Sequence, residues 1–494
     1  MPGARRPRHG RGNPERQAGD RAVTTQTKRY DLAVIGGGPA GLAAATLAAR
    51  RGLSTVLLDE QGAPGGQIYR AVTRTPVRNP SVLGTDYWHG LDLVGPFRDS
   101  GAEYRPGATV WSVSRSLDIG LSRDSKADIL PARHIILATG ALERPFPIPG
   151  WTLPGVMGAG AAQILLKTSG LVASGNVVLA GTGPLLWLLA WQYLRAGARI
   201  DTILDTTPRE NWRQALPHMG TFARSGYVGK GLKLLLEVRR KVNVIGNVTA
   251  LRADGDGRVQ SVLYRQGDGA ERRIPADTLL LHHGVIPNIN LANATGCAQS
   301  WDETQRCWIP DVDAWGATSV EGVSVAGDGA GIGGALAAEH RGRLAALDAL
   351  HRLGRIDRKT RDADAGPHRA ALDRAERGRV FLDTLYGPSK AFRVPENDTI
   401  VCRCEEVTAG QVREAVTLGV SGPNQTKSFL RCGMGPCQGR LCGPTVVEVI
   451  ADARGVSPAE VGYYRLRPPV KPITLAELAS LPKSEDEVAA VMHH

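Results

Sequence analysis

Short apolar runs alternate with glycine-led or alanine-rich stretches through most of the chain, which is the pattern of an α/β fold built on parallel strands. The first folded unit begins at Tyr30. Apolar residues 32–35 predict a buried strand, an alanine-rich helix then runs to about Arg50, and residues 55–58 predict the next strand. Strand, helix and strand in this order predict a βαβ unit with two parallel strands.

The turn between the first strand and the helix carries three glycines at the spacing of a dinucleotide-binding motif. Gly36 allows the tight turn, Gly38 lets the backbone approach a pyrophosphate, and Gly41 lets the helix pack closely on the strand. The pyrophosphate is expected at the positive end of the helix. Asp59 follows Gly41 by 18 residues, so its carboxylate is predicted to accept a hydrogen bond from a ribose hydroxyl, with Glu60 as the alternative.

Two later segments favour FAD over NAD at this first site. In the first a strand ends at Thr139-Gly140, and in the second a strand is followed by Gly327-Asp328 and a glycine-led helix. Gly66-Gln67, after the second strand of the unit, adds to the pattern. In these features the chain resembles flavoproteins of the glutathione and thioredoxin reductase type, in which the Asp of a Gly-Asp pair holds the ribityl and pyrophosphate part of FAD. The predicted contacts are Gly66, Gln67, Thr139, Gly140, Gly327 and Asp328. The FAD-binding unit is expected to comprise residues 30–170 and 278–354.

A second βαβ pattern lies between these two parts, in residues 171–277. Its strand and helix, residues 177–194, form an uncharged stretch of about membrane-spanning length, but the glycines within it predict a short strand followed by a helix. The motif keeps Gly181 and Gly183 as candidate nucleotide contacts and has Leu186 in place of the third glycine. No arginine cluster suited to a 2′-phosphate follows, so we predict a retained structural domain that does not bind NAD.

Five of the seven cysteines fall within one short segment and match the spacing of an iron–sulfur site. Cys402 and Cys404 form a C-x-C pair, and Cys437, 33 residues after Cys404, forms a C-x4-C pair with Cys442. Four thiolates that converge from two short loops suit a 2Fe–2S cluster. A four-cysteine zinc site is the structural alternative, but the glycine-rich run around Cys437 leaves N–H groups free for cluster sulfurs. Cys432 and Cys437 form a second C-x4-C pair, so the residues alone leave two ligand sets open.

This segment resembles the bacterioferritin-associated-ferredoxin type of 2Fe–2S domain, in which a C-x-C pair, a linker of about thirty residues and a close cysteine pair follow one another. In related dehydrogenases the second half reads G-M-G-x-C-Q-G-x-x-C, which residues 433–442 match. The ligands that this resemblance implies are Cys402, Cys404, Cys437 and Cys442. Cys432 lies outside the pattern and is predicted to be a buried or outer thiol. The domain is expected to span residues 397–464.

Composition and charge narrow the functional classes. At 494 residues the chain is too long for one core and predicts two to four domains. Half of the net charge of +12 lies in residues 1–29, which carry eight basic and two acidic side chains in a Pro/Gly/Arg-rich stretch. We predict a disordered tail there, with neither a secretory signal nor a nucleic-acid-binding function. Clustered C-x-C thiols indicate a reducing compartment, hence the cytoplasm.

Two further segments complete the predicted organisation. Residues 355–396 are charged and helical in pattern and predict a linker that leads into the cysteine-rich domain. Residues 465–494 predict a tail that wraps back on its own chain or on a partner. His282 and His283 at the end of a strand are expected to be structural rather than acid–base groups.

Nearly the whole chain from Tyr30 onward resembles the large flavoprotein subunit of opine oxidases, hydrogen cyanide synthase and D-hydroxyproline or proline dehydrogenases. The most specific matches are LLDEQGAPGGQIYR at residues 57–70, the GTGPLL turn, and CRCEEVT through GMGPCQGRLCGPTV. The fold class that follows from the resemblance is α/β, a two-dinucleotide-binding-domain flavoprotein of the glutathione/thioredoxin reductase type with a C-terminal 2Fe–2S domain.

The same resemblance implies that the chain works in a complex. In this family the subunit stands beside a catalytic flavoprotein subunit that oxidises an amine or imino-acid C–N bond, and a small ferredoxin-like subunit often completes the complex. Some relatives hold an FMN at the subunit junction, and in some the first site holds a nucleotide other than FAD. The implied route passes hydride from a small amino-acid-derived substrate to the partner's flavin. Single electrons then pass through the 2Fe–2S cluster to a respiratory acceptor. The sequence predicts no transmembrane segment. The chain is therefore expected to associate with the inner face of the cell membrane only peripherally, through the complex.

Two other functions stay open at this point. A stand-alone NAD(P)H-dependent reductase that feeds a ferredoxin or a nitrite reductase would need an intact second glycine motif, and Leu186 counts against it. A non-catalytic electron-transfer scaffold predicts no substrate turnover by this chain alone. No cysteine precedes Cys297, which excludes the flavin-linked disulfide chemistry of the reductases with this build.

Overall fold

A computed structural model describes residues 28–483 of the chain. Most of the predicted disordered tail, residues 1–29, and the end of the predicted tail of residues 465–494 lie outside the described residues. Within residues 28–483 two dinucleotide-binding units are followed by a helical linker and a small cysteine-rich domain.

The first unit begins with a buried strand whose residues are apolar on both faces, as expected for a parallel strand covered by helices. Its first part comprises β1 (Tyr30–Ile35), α1 (Pro39–Arg50), β2 (Thr55–Asp59), α2 (Pro80–Leu83), α3 (Thr85–Trp88), α4 (Gly90–Arg98), β3 (Glu103–Pro106), β4 (Thr109–Val113), β5 (Asp118–Arg123), β6 (Lys126–Leu137) and β7 (Ala141–Glu143). The predicted strand, helix and second strand are confirmed in β1, α1 and β2. They differ from the prediction by only a few residues at their ends.

The second unit contains its own parallel sheet, of order β11-β10-β9-β15-β8, and a separate antiparallel ladder, β12-β13-β14. Its elements are β8 (Val156–Gly158), α5 (Ala159–Ser169), β9 (Val177–Thr182), α6 (Pro184–Arg195), β10 (Thr202–Asp205), α7 (Arg209–Ala215), a 3-10 turn (Leu216–His218), α8 (Met219–Ala223), α9 (Tyr227–Arg239), β11 (Asn243–Ile245), β12 (Val248–Asp254), β13 (Ser261–Gln266), β14 (Arg272–Pro275) and β15 (Thr278–His283). The long uncharged stretch is the strand β9 followed by the helix α6, as predicted. Among residues 28–483 no helix is long and apolar enough to cross a bilayer.

The limits of the second sheet differ from the domain limits of 171 and 277 that the sequence predicts. β15 pairs with β9 in parallel register, and β8 pairs with β15 on its other side. Both strands therefore lie in the second sheet although their residues precede 171 or follow 277. The antiparallel pair β7 and β16 (Val285–Pro287) connects the two units where the chain enters and leaves the second one.

The chain then returns to the first unit and completes its sheet, of order β3-β2-β1-β6-β5-β4, through a strand that pairs with β6. After β16 this part contains α10 (Asn290–Thr295), β17 (Gln299–Asp302), β18 (Cys307–Pro310), β19 (Val323–Val325), a 3-10 turn (Gly327–Ala330) and α11 (Ala335–Arg352). α11 packs closely on α1, because a Cβ atom on Gly342 would lie 2.2 Å from the carbonyl oxygen of Ala40. This contact places the end of β19 and the start of α11 beside the first glycine turn.

A helical linker and the cysteine-rich domain end the fold. Their elements are α12 (Arg358–Glu376), α13 (Arg379–Leu385), α14 (Lys390–Arg393), β20 (Ile400–Cys402), β21 (Val407–Thr408), α15 (Ala409–Thr417), α16 (Pro423–Leu430), α17 (Gly443–Arg454), α18 (Pro458–Val461) and α19 (Leu475–Ala479). The tail wraps back on the first unit: the Val470 N–H donates to the Trp111 carbonyl oxygen (2.9 Å), and Lys471 pairs with Glu60 (2.5 Å).

Candidate functional site

The first glycine turn packs so closely on the neighbouring loops that a side chain does not fit at Gly36 or Gly66. Gly36 has a φ of +113°, and a Cβ atom there would lie 2.3 Å from the Ala138 carbonyl oxygen. A Cβ atom on Gly66 would lie 2.7 Å from the Cα of Gly38, so these two loops meet without side chains between them. The N-terminus of α1 has no side-chain cap. Its free N–H groups and positive dipole end suit a pyrophosphate.

Gly41 has the packing role that its position predicts. A Cβ atom there would lie 1.9 Å from the carbonyl oxygen of Gly36, so only glycine lets α1 lie this close to β1. The three glycines thus act as the turn, the close approach and the helix contact of a dinucleotide-binding motif. Whether they contact the bound nucleotide stays a prediction.

Asp59 lies at the edge of this turn and is buried. A Cβ atom on Gly37 would lie 2.1 Å from Asp59 Oδ2, which places the carboxylate against the glycine turn. The Gln61 N–H donates to Asp59 Oδ1 (3.0 Å), and the Tyr104 hydroxyl donates to Asp59 Oδ2 (3.3 Å). Burial raises the pKa of Asp59 above its ordinary value, an effect that these hydrogen bonds oppose. Glu60 instead pairs with Lys471 of the tail, which favours Asp59 as the ribose ligand.

Asp59→Ala is expected to weaken nucleotide binding about tenfold to a hundredfold. A hydrogen bond to a charged acceptor is worth about 1.5–3 kcal/mol, which corresponds to that loss in affinity. The measurement is titration of the deflavinated protein with FAD, and Glu60→Gln is the matched control that should bind nearly as tightly as the natural chain. Equal weakening in both variants would contradict the assignment of Asp59. Recovery of ATP or NAD from the denatured protein would refute FAD but not the site.

The other predicted contacts lie at the same edge of the sheet. The Thr139 hydroxyl donates to the Asn288 carbonyl oxygen (2.9 Å), and the Asn288 N–H donates to the carbonyl oxygen of Gly140 (2.9 Å). A Cβ atom on Gly327 would lie 2.7 Å from the Cβ of Ala40, so this loop also closes on α1. The structure thus brings the loops after β6 and β19 to the glycine turn.

Asp328 holds the start of α11 in place. Its Oδ1 accepts hydrogen bonds from the N–H groups of Gly333 and Gly334, both at 2.9 Å. These bonds fix the carboxylate beside the loop that follows it. Its role toward the ribityl chain stays a prediction.

Lys167 on α5 is a buried residue that the sequence does not single out. Its ammonium group donates to the carbonyl oxygens of Gln67 (3.3 Å) and Ile68 (2.9 Å) and to Gln163 Oε1 (2.9 Å). Burial, followed by the positive charge of Arg70, lowers the pKa of Lys167 to about 7. This side chain ties the loop that contains Gly66 and Gln67 to the second unit. A lysine in an amphipathic helix gives no sequence signal for such a role, because lysines are usually solvent-exposed.

The second unit retains a glycine turn between β9 and α6, but the residues around this turn differ from those around the first one. Gly181 and Gly183 have φ angles of +135° and +106°, as a tight turn requires. Leu186 is completely buried where a third glycine would stand, and fills the space between α6 and its sheet. Asp205 at the end of β10 accepts hydrogen bonds from the N–H (2.9 Å) and hydroxyl (2.6 Å) of Thr207.

The linker covers the carboxyl ends of the strands in this second sheet, which is where open α/β sheets bind ligands. Tyr386, directly after α13, faces Asp205: burial, and then that carboxylate, raise the pKa of Tyr386 to about 12. Asn211 Nδ2 donates to the carbonyl oxygens of Leu385 (3.0 Å) and Gly387 (2.8 Å) and so holds the linker in place. The linker therefore lies where the ribose of a dinucleotide would be expected.

A second contact of the linker lies at the neighbouring strand end. The ring of Phe392 on α14 packs on His283 (5.8 Å between centroids) and on Phe146 (5.3 Å). His283 is buried and stacks on Phe146 at 4.1 Å, and burial, followed by the charge of Arg144, holds its pKa well below the usual value. His282 is hydrogen-bonded to Glu143 (2.6 Å). Both histidines are packed into the structure, in line with the structural role predicted for them.

The five clustered cysteines converge on one place in the C-terminal domain. The sulfur atoms of Cys402, Cys432 and Cys442 lie within 4.8 Å of one another, and all three residues are buried. Cys437 is half-buried and its thiol lies next to those of Cys404 and Cys442. Interaction with Cys432, and then with Cys442, lowers the pKa of the Cys402 thiol to about 2, so that a thiolate forms readily.

This donor set fits an iron–sulfur cluster, because cluster iron binds thiolates and five sulfurs are available for four positions. Close backbone approach supports the fit: a Cβ atom on Gly435 would lie 2.3 Å from the Cβ of Cys404. The predicted ligand set of Cys402, Cys404, Cys437 and Cys442 stays a prediction. Cys432 is buried as predicted, but it lies among the ligand candidates and not apart from them.

The cysteine site is joined directly to the first nucleotide site. Asn288 is bonded to the loop of Thr139 and Gly140, and two residues later Asn290 Nδ2 donates to the carbonyl oxygen of Gln438 (2.9 Å) between the last two cysteines. One short segment at the start of α10 therefore contacts both predicted cofactor sites.

Comparison with known proteins agrees with this two-site architecture. The chain matches the pyridine nucleotide-disulphide oxidoreductase family over residues 30–345 and a BFD-like [2Fe-2S] binding domain over residues 400–452. It is 50% identical to one of the subunits of opine oxidase from Agrobacterium tumefaciens, over 94% of each chain. It is 32% identical to hydrogen cyanide synthase subunit HcnB of Pseudomonas aeruginosa, over 91% of this chain and 98% of the relative. It shares the fold of L-proline dehydrogenase from P. horikoshii, with a TM-score of 0.68 at 20% identity over 91% of this chain and 79% of that one.

Proposed function

The chain belongs to the family that contains these opine oxidase and hydrogen cyanide synthase subunits, and on this premise we propose that it is the electron-transferring subunit of a multi-subunit dehydrogenase. The reaction class is oxidation of a C–N bond in an amino-acid-derived substrate such as an opine, D-hydroxyproline, proline or a glycine-like compound. When bound, FAD supplies two-electron chemistry and a 2Fe–2S cluster supplies one-electron transfer.

The observation that carries this proposal is the contact of one segment with both cofactor sites. Asn288 holds the loop at Thr139, and Asn290 holds the loop between Cys437 and Cys442. Two sites that are locked together at fixed separation suit electron transfer between them. In this proposal Gly36, the N-terminus of α1 and the following loops bind and orient the nucleotide, while the thiolates hold the cluster.

Selection of the substrate is assigned to a partner. The histidine pair at the end of β15 is buried, with His282 hydrogen-bonded to Glu143 and His283 stacked on Phe146, so neither ring is open to a substrate. We infer that a catalytic flavoprotein subunit oxidises the substrate, that a small ferredoxin-like protein is a further partner, and that FMN is a further cofactor at the junction. A cytoplasmic complex, peripheral at the inner face of the membrane, could deliver its electrons to a respiratory acceptor.

Co-expression tests this division of labour. The chain purified alone is expected to hold FAD and iron but to give no dye-linked oxidation of opines, proline or D-hydroxyproline. Co-expression with the flavoprotein subunit from the same gene cluster is expected to restore dye-linked activity toward one of these substrates. Robust oxidation by this polypeptide alone would contradict the proposal. The Cys402→Ser variant in the same complex is the control: it should keep reduction of the partner's flavin but lose onward electron transfer.

A further inference from the structure

A buried tyrosine beside the cysteines has a hydroxyl group without a partner. Tyr464 is 0% exposed, and its Oη makes no hydrogen bond within the part of the chain that the structure describes. Its polar neighbours are the thiol of Cys432 and the hydroxyl of Thr426. Thr426 already donates to the Pro423 carbonyl oxygen (2.6 Å). Because an unpaired buried hydroxyl is costly, this group points to an acceptor at the cysteine site, either the neighbouring Cys432 sulfur or a group that the cysteines bind.

The ring of Tyr464 is held by the cysteine loop itself. Gly433 and Gly439 have φ angles of +89° and +77°, and Cβ atoms on them would lie 2.5 Å and 3.0 Å from ring carbons of Tyr464. Glycine at these two positions therefore lets the loop that carries Cys437 close over the ring. The conformation of this loop and the position of the hydroxyl are thus coupled.

The backbone of Tyr464 is fixed from the other side by the first unit. Asn293 Nδ2 donates to the Tyr464 carbonyl oxygen (3.0 Å), and the Leu466 N–H donates to Asn293 Oδ1 (2.9 Å). Asn293 lies on α10, the helix whose start contacts both cofactor sites. With the ring and the backbone both held, the hydroxyl cannot turn away to reach solvent.

We propose that Tyr464 is a positioning residue of the cysteine site, whose hydroxyl donates a hydrogen bond to a sulfur atom there, either that of Cys432 or a cluster sulfide. The proposal rests on the 2Fe–2S cluster of the proposed function. Reduction adds one negative charge to the cluster, and a donor aimed at its sulfurs stabilises that charge more than the charge of the oxidised state. Tyr464 therefore raises the reduction potential and makes the cluster a better electron acceptor.

Tyr464→Phe removes only the hydroxyl and is the direct test. In the anaerobically purified full chain we expect iron and sulfide contents to match the natural protein. We expect reduction of the cluster to become about tenfold less favourable, a shift of about 59 mV to more negative potential for one electron. The measurement is a redox titration followed by electron paramagnetic resonance. Tyr463→Phe is the matched control, because its hydroxyl lies against the backbone of Gly443 and its removal should leave the potential unchanged.

The outcomes separate this inference from the proposed function. A natural chain without iron would overturn the cluster and the role of Tyr464 together. Full iron content with an unchanged potential in Tyr464→Phe, or an equal shift in Tyr463→Phe, would overturn only the role of Tyr464. If Tyr464→Phe loses iron, the natural chain and the variant are both reconstituted with iron and sulfide, and their resonance Raman spectra are compared in H2O and in D2O. A shift of the Fe–S bands in D2O that is smaller in Tyr464→Phe supports the hydrogen bond from Tyr464, because backbone N–H donors exchange in both chains. An equal shift in both chains, or no shift, overturns it.

The two acceptors are distinguished in a Cys432→Ala background. If the hydroxyl donates to a cluster sulfide, Tyr464→Phe should lower the potential in this background as it does in the natural chain. If it donates to Cys432, the shift should disappear while the iron content stays unchanged. Each result supports the donor role and assigns its acceptor.

Discussion

Replacement of any one of Cys402, Cys404, Cys437 and Cys442 by serine is expected to remove most of the iron from the purified chain. Each thiolate supplies one of four protein bonds to the cluster, and a serine hydroxyl is not deprotonated near neutral pH. Because metal binding is coupled to folding of such small domains, losing one bond also loosens the loops that hold the others. Iron and sulfide analysis after anaerobic purification, with the visible absorbance, measures the effect.

Cys432→Ser is the matched control for these variants. This thiol is as buried as those of Cys402 and Cys442 and lies within 4.8 Å of both, so its loss disturbs the packing of the domain to a similar degree. Iron content near that of the natural chain is expected, because Cys432 is outside the predicted ligand set. Iron loss at Cys432 together with retention at Cys442 would reverse the assignment in favour of the second C-x4-C pair. Zinc without iron in the natural chain would refute the electron-transfer function.

The first nucleotide site could be predicted from sequence because its determinants are local. The turn at Gly36, the helix α1 and the acid Asp59 follow one another within one βαβ unit, and the contact that requires Gly41, with the Gly36 carbonyl oxygen, lies within that unit. The cysteine pattern is also recognisable locally, because the first pair, Cys402 and Cys404, and the last pair, Cys437 and Cys442, each lie within a few residues of sequence. The residues of such a short motif largely determine its backbone conformation. The strand ends in the structure therefore differ from the predicted ends by only a few residues.

Features that depend on distant parts of the chain could not be predicted. Lys167 meets the carbonyl oxygens of Gln67 and Ile68 across about a hundred residues of sequence, and nothing near it marks it as buried. The approach of Cys432 to Cys402 depends on how α16 ends, at Arg431 in a left-handed conformation. The coverage of the second sheet by Tyr386 likewise depends on the path of the linker. Hydrophobic periodicity reports a helix but not the surface on which it lies.

The chain is expected to show no NADH oxidation, which separates it from the stand-alone reductase class. The linker places Tyr386 at Asp205 and Phe392 at His283, along the carboxyl edge where the second sheet would bind a dinucleotide. An incoming NADH would have to displace the half-buried Tyr386, the buried Phe392 and the two hydrogen bonds from Asn211. The test is anaerobic addition of NADH to the FAD-loaded chain, with no bleaching of the flavin absorbance as the expected result.

Two variants separate the effect of the linker from the effect of the altered glycine motif. Leu186→Gly restores the third glycine but leaves Tyr386 in place, so it should still not oxidise NADH. The combination of Leu186→Gly with Tyr386→Ala opens the ribose end of the crevice and is expected to bind NADH measurably. Rapid flavin reduction by NADH in the natural chain would contradict this prediction and would favour a stand-alone reductase. Reduction in Leu186→Gly alone would show that the motif, and not the linker, excludes the dinucleotide.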